Sequence, residues 1–372
     1  MHTLDLLKTD GRNLTLYSRS PIGAIDGAPS PFAEPLGADP HFRWHPLRGE
    51  WVAYAAYRQD RTFQPPPAYN PLAPTTDAAA PTELPVGDYD IAVFDNRFPA
   101  MSAGGVTLEV DVGVGVDVGG GAGPRAAGGR CEVVVFSRQP STALGRLPLS
   151  HIELLLSVWA DRSRRAARQG GIAYVLPFEN RGVEVGVTLY HPHGQIYCYP
   201  FVPPVPATML RQEAAYFAAH GSALLVDMAA REAAAGRRVL YRGPHAIAFV
   251  PACARYPYEV WVMPTAPTAD FAALGEDQRR DLARALATVL RKYDGLWQRD
   301  FPYLMAWYQA PLDGRAHPET QLHAAFFPPY RTRERLKYLA GTEIAAGMFA
   351  MDALPEDKAA ELQAVEVRLE EA

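Results

Sequence analysis

The chain has 372 residues, 48% hydrophobic and 21% charged, the composition of a folded protein with room for one large core or two ordinary domains. Its net charge of -5 gives no electrostatic case for binding nucleic acid or an anionic membrane surface, and no apolar run approaches the roughly 18 residues of a membrane span. Three scattered cysteines, Cys131, Cys198 and Cys253, form neither a disulfide framework nor a zinc pattern, and the first residues do not begin a secretory leader, so a cytoplasmic location is expected.

Residues 1 to 40, rich in Gly, Pro and Ser, read as an arm packed on the body. Residues 42–54 read as two strands joined by the turn His45-Pro46-Leu47-Arg48-Gly49, and Arg58 and Arg61 beyond it read, taken alone, as solvated charges. A Pro- and Ala-rich stretch, 62–88, predicts a loop held by packing and proline stiffness. Residues 89–94 alternate as a strand, 104–129 form a Gly/Val loop interrupting a hairpin, and 131–136 resume the sheet. Ile152, Leu155, Leu156, Trp159 and Ala160 recur at helical spacing and predict a helix over 149–169, followed by a strand over 172–178.

Further helices are predicted over 206–219, 223–236, 276–293 and 355–371. The second half repeats the first. Cys131-Glu132-Val133-Val134-Val135 recurs as Tyr258-Glu259-Val260-Trp261-Val262, and 190–204 is echoed by 321–329, where His323 keeps one histidine and Ala325 replaces the other. The fold class is therefore α+β: two related halves, 1–204 and 205–372, in one pseudo-symmetric unit with a largely antiparallel sheet, and only the first copy competent for chemistry.

The most informative stretch is Tyr190-His191-Pro192-His193-Gly194-Gln195-Ile196-Tyr197. In a strand, His191, His193 and Gln195 would share one face. Pro192 fixes a dihedral, and Gly194 lets the backbone approach a ligand. Imidazole is a nucleophile near neutral pH and an amide donor holds a phosphoryl oxygen, so the pattern suits attack on phosphorus. The ordinary readings are a satisfied core histidine or a pair of metal ligands. Asn180, Gly186, Val187 and Thr188 supply amide, flexible backbone and hydroxyl for an anionic ligand.

Phe178-Glu179-Asn180-(five residues)-Gly186-(four residues)-His191-Pro192-His193-Gly194-Gln195-Ile196 resembles the signature of the galactose-1-phosphate uridylyltransferases of the histidine-triad superfamily, and the resemblance runs from Phe42 to near the C-terminus. It implies His193 as nucleophile and Gln195 as donor to the phosphoryl group. Arg58, Arg61, Asn96 and Asn180 would hold UDP-glucose, Phe94 and Phe98 would surround base and ribose, and Gly186, Val187 and Thr188 the phosphates, with His191 alongside. Arg97 stands where some members carry an acidic residue. Lys337, Tyr338 and Glu343 resemble a sugar-phosphate segment that reaches the neighbouring subunit's site in a homodimer.

Metal-containing members carry a Cys-Pro-x-Cys knuckle where this chain has Asn70-Pro71-Leu72-Ala73, and Pro140 replaces another ligand, leaving His191 alone. An iron site of other members falls on Met209, Tyr308, His323 and Ala325. No metal and no cofactor are expected. The implied partners are UDP-glucose and hexose 1-phosphates, with neither nucleic acid nor membrane. Alternatives are a phosphorylase or transferase acting on ADP-sugars, a nucleotide-sugar hydrolase, and a silent nucleotide-binding protein.

Overall fold

A computed structural model describes residues 1–35, 37, 39–60, 69–102 and 125–369; Arg61 and residues 104–124 of the expected Gly/Val loop lie outside the described residues. The first half contains β1 (His2–Leu7), β2 (Asn13–Ser18), β3 (His41–His45), β4 (Glu50–Tyr54), β5 (Ile91–Asp95), β6 (Arg125–Ala126), β7 (Arg130–Val135), α1 (Leu149–Gln169), β8 (Tyr174–Arg181) and β9 (His193–Tyr199). The second contains α2 (Pro204–His220), α3 (Leu224–Ala235), β10 (Val239–Arg242), β11 (Ala246–Phe249), β12 (Val260–Pro264), α4 (Glu276–Leu296), β13 (Tyr303–Tyr308), β14 (His323–Phe327) and α5 (Pro355–Gln363).

Eleven strands join into one antiparallel sheet, in the order β1-β2-β5-β7-β9-β8-β13-β14-β12-β11-β10. Read outward from the central β8/β13 pair, both halves run in the same sense: a histidine-bearing strand (β9 or β14), then β7 or β12, then β5 or β11. In each, a long helix, α1 or α4, leads from β7 or β12 to the central strand, β8 or β13. The α+β, largely antiparallel fold is as the sequence predicts.

Three expectations change in detail. The N-terminal arm is part of the sheet: Leu14, Leu16 and Tyr17 are buried, and β2 pairs with β5 through Leu14↔Phe94 and Leu16↔Ala92. The last helix stops at Gln363 rather than at 371, because the Lys292 ammonium collects the Leu362 and Val365 carbonyls at 3.0 and 2.7 Å and draws the chain onto α4. The repeat is also in a different register. His323 Nδ1 bonds the Gln321 carbonyl at 2.9 Å, as His193 Nδ1 bonds that of His191 at 2.7 Å, and each histidine opens its strand. His323, not Ala325, is thus the counterpart of His193. It is buried and stacked on Tyr308 at 5.2 Å, and burial pushes its pKa down to about 4.

Strand alternation gives the sheet two different faces. One is covered by α1 and α4, whose apolar stripes pack with Val134, Ile196, Val260, Met305 and Phe326 into the main core. The other is covered at its two ends, by residues 72–94 against β2 and by α3 against β11. Over the second half of β9 it is covered by Phe42, Met101 and Ala127 against Tyr197 and Tyr199, leaving an opening over His193 and Gln195. On the helix side, Glu132 of β7 meets the Arg162 guanidinium through Nε at 2.9 Å and through Nη2, with both groups buried. Burying either charge alone would be costly, and each offsets the desolvation of the other. Arg162→Met leaves the Glu132 carboxylate with Arg130 alone, at 2.7 Å, and should cost up to about 3 kcal/mol in urea unfolding, while adding Glu132→Met should recover part of it. A loss under about 1 kcal/mol for the single variant would show that the pair does not anchor α1 to the sheet.

Candidate active site

The open face is organised by β9. Its neighbours place Val133 and Phe178 opposite Gln195, and Phe94 opposite Val133, so these four side chains form a row across the sheet. His193 lies one pleat along, opposite Val135 on β7. The expected sharing of a face holds for His193 and Gln195. It fails for His191, because Pro192 brings no N–H to the ladder and regular pairing begins only at His193.

His191 instead turns into the body, 2% exposed. Its Nε2–H donates to the Ser137 carbonyl at 2.6 Å, and Nδ1 accepts from the Asn70 amide at 3.0 Å. Burial pushes its pKa down to about 4, so it is neutral, as that bonding requires. Both ring nitrogens are used within the protein, so neither is free for a ligand, although His191 lines the second cleft. The part it plays is through its carbonyl, which accepts from His193 Nδ1 at 2.7 Å. That bond fixes the His193 tautomer with the proton on Nδ1, and Nε2 has no hydrogen-bond partner among the described residues. Surrounding protein also holds the His193 pKa below the usual imidazole range.

Gly194 serves a different purpose from the one expected. A Cβ there would sit 2.7 Å from both the Phe178 carbonyl and the Phe136 ring, on the helix side of the sheet. Its small size lets β9 lie close to β8, not to a ligand.

Two clefts open on this face, and His193 and Leu189 line both. The first, of about 310 Å³, is lined by Arg58, Phe94, Asn96, Phe98, Thr188 and Gln195. The second, of about 420 Å³, is lined by Asn180, Val187, His191 and the edge of Pro302. Gly186 lies outside both and caps a short helical turn in the left-handed region at φ 79°. Lys337, Tyr338 and Glu343 line neither cleft. Lys337 Nζ bonds the Ala350 carbonyl at 2.8 Å and faces the Glu343 carboxylate at 3.4 Å, and Tyr338 is exposed.

Sequence reasoning missed several wall residues. Phe32 and Glu83 line the first cleft, and Arg146, Arg181 and Asp300 the second. Nothing in the pattern of 30–35 announced a cleft. The two arginines of the second cleft are already neutralised: Arg181 contacts Asp294 at 2.6 Å and Asp300 at 2.9 Å, and Arg146 also meets Asp300. Arg58, bonded to the Phe98 carbonyl at 2.6 Å, has no carboxylate partner among the described residues and keeps its charge for a ligand. Asn96 Nδ2 donates to Gln195 Oε1 at 3.4 Å, which turns the Gln195 NH₂ outward as a donor.

A methyl group at Gly194 would push β9 off β8 and carry His193 and Gln195 with it. Gly194→Ala should lower stability by about 1–3 kcal/mol and kcat/KM by about 100-fold in folded protein. An unchanged kcat/KM would mean that the backbone spacing here does not set the geometry.

Comparison with known proteins agrees with this arrangement. The family described as galactose-1-phosphate uridyl transferase, N-terminal domain, matches residues 35–203, and its C-terminal domain matches residues 209–371. The galactose-1-phosphate uridylyltransferase of Thermotoga maritima is 32% identical over 328 residues, covering 88% of this chain and 99% of that protein. The enzyme of the same name from Rattus norvegicus is 30% identical, covering 87% of each. A solved uridylyltransferase structure, 30% identical, superposes with a TM-score of 0.76 over 87% of this chain and 98% of its own. An ADP-glucose phosphorylase from Arabidopsis thaliana, 23% identical with a TM-score of 0.64 over 88% of this chain and 100% of its own, shares the fold. The chain belongs to the galactose-1-phosphate uridylyltransferase family.

Proposed function

We propose that the protein transfers a uridylyl group from UDP-glucose to galactose 1-phosphate in two displacements on His193. The Nε2 lone pair attacks the α-phosphorus, a P–N bond forms, and the bond to the bridging oxygen breaks with its electron pair leaving on glucose 1-phosphate. A phosphate oxygen of galactose 1-phosphate then attacks the same phosphorus, the P–N bond breaks, and UDP-galactose is released. The observation that carries this reading is the place of His193 at the join of the two clefts, its Nδ1 tied to the His191 carbonyl and its Nε2 unpartnered. The first cleft suits a nucleoside, with Phe94 and Phe98 for the base and Asn96 for a polar edge.

Gln195 donates to a non-bridging oxygen as charge moves in the transition state, and Arg58 offsets phosphate charge. A sugar phosphate is a good leaving group, so no general acid is required. Nor does the scheme call on a metal: Asn70 and Ala73 replace thiolates, and the His191 ring is already bonded on both nitrogens.

UDP-glucose alone should leave the wild-type protein heavier by one uridylyl group, in an acid-labile linkage that galactose 1-phosphate discharges, while His193→Ala gains nothing. Because burial holds the His193 pKa low, the neutral nucleophile persists as pH falls, and the acid limb of adduct formation should lie below the free-imidazole value of about 6.5. Turnover with intersecting initial-rate lines and no adduct would point to direct transfer instead.

Lys337, Tyr338 and Glu343 belong to this reading only if a second copy receives them. The exposed apolar side chains nearby, Tyr338, Leu339, Ile344 and Met348, suit such a homodimer. Mixed His193→Ala and Lys337→Ala proteins, each inactive, should regain activity once subunits exchange. Demonstrated exchange with no return of activity would remove the shared site.

A further inference from the structure

Residues 1–34 precede the stretch matched by the family, yet two of them, Pro31 and Phe32, form part of the first cleft. Phe32 stands on its wall with its ring edge-on to Phe98, centroids 6.3 Å apart. With Phe94 and Tyr69 the cleft has four aromatic side chains on its walls. The Phe32 ring is held by two guanidinium groups, Arg97, itself on the cleft wall, at 4.3 Å and Arg12 at 5.6 Å. Arg97 in turn donates to the Glu34 carbonyl at 2.7 Å, locking the segment that carries the ring.

A buried polar network fixes the backbone beneath it. The Phe32 N–H donates to Ser30 Oγ at 3.1 Å, and that hydroxyl donates to Asp10 at 2.9 Å. Arg12 bridges Asp10 and Glu83, each at 2.7 Å, and Lys8 joins Glu83 at 2.7 Å. Lys8, Asp10, Ser30 and Glu83 are all at least nine-tenths buried. Burying so many charges is costly unless they are mutually satisfied, and a simple edge strand has no need of them. Their combined effect is to hold residues 30–34 over the cleft. The arm's two strands supply the anchorage, since Asp10 and Arg12 sit in the turn between them.

We propose that Phe32 is a nucleobase-binding residue and that the N-terminal segment sets this protein's affinity for the base of its nucleotide. This rests on the reading of the first cleft as the nucleoside site. An aromatic face stacks on any base and gains most where the ring is already fixed, because little entropy is then lost on binding. The polarity of Arg58, Asn96 and Gln195 leaves the apolar share of recognition to Phe32, Phe94 and Phe98.

The test is calorimetric titration of the full-length protein with UMP. Phe32→Ala should raise the Kd about tenfold, Phe32→Tyr should stay within about twofold of wild type, and in turnover the Phe32→Ala loss should fall on the KM for the nucleotide sugar more than on kcat. Phe32→Trp provides a second readout, since UMP stacked on the indole should quench its fluorescence, and this decides the matter even if Phe32→Ala does not fold. Wild-type binding of UMP matched by Phe32→Ala, or an indole that UMP leaves unquenched, would overturn the assignment while sparing the cleft. Wild-type protein with no affinity for UMP would overturn the nucleoside reading and the assignment together.

Discussion

The arrangement of the candidate site depends on a single hydrogen bond, from His193 Nδ1 to the backbone carbonyl of His191. It selects one tautomer, aims Nε2 at the join of the clefts, and uses only main chain as acceptor. A backbone carbonyl does not titrate, so the tautomer is held across the working pH range. The carbonyl is only as fixed as His191, and that ring is clamped from both sides by Asn70 and Ser137. Asn70 lies in the Pro-rich loop more than a hundred residues earlier, so the loop's contribution to the nucleophile passes through His191 without touching it.

The sheet divides labour between its faces. Gly194, Ile196 and Cys198 turn toward α1 and α4, where close packing sets the height of β9. His193, Gln195 and Tyr197 turn the other way, and the exactitude of the first set positions the second. The pseudo-symmetric half shows what the same strand becomes without a cleft. His323 keeps the bond to the carbonyl two residues back, but Tyr308 stacks on its ring, and Ala325 stands where Gln195 would donate. A histidine in that setting is a core residue, whatever its ancestry.

Much of this was legible in the sequence. The helix over 149–169 follows from five apolar positions at helical spacing and appears with those bounds. The pairing of His193 with Gln195 on one face follows from strand periodicity. What escaped notice has identifiable causes. His191 was placed on the wrong face because one proline delays the ladder by two residues, and alternation is meaningful only inside a ladder. Gly194 was read as a ligand approach because a sequence does not say which face a glycine's missing side chain would meet. The sequence repeat matches His323 to His191, whereas the backbone bond, invisible in sequence, matches it to His193. Phe32 and the Lys8–Glu83–Arg12–Asp10 cluster were passed over because their partners are up to 75 residues distant and carry no local pattern. Arg61 and residues 104–124 of the Gly/Val loop expected over 104–129 lie outside the described residues.

The central claim is that His193 reacts through Nε2 while Nδ1 keeps its proton on the His191 carbonyl. Nitrogen-15 NMR of histidine-labelled protein, before and after reaction with UDP-glucose, tests it most directly. The account predicts a neutral His193 protonated at Nδ1 in the free protein, and phosphorus coupling at Nε2 in the adduct with the Nδ1 proton retained. Phosphorus bonded at Nδ1, or a free His193 protonated at Nε2, would contradict it.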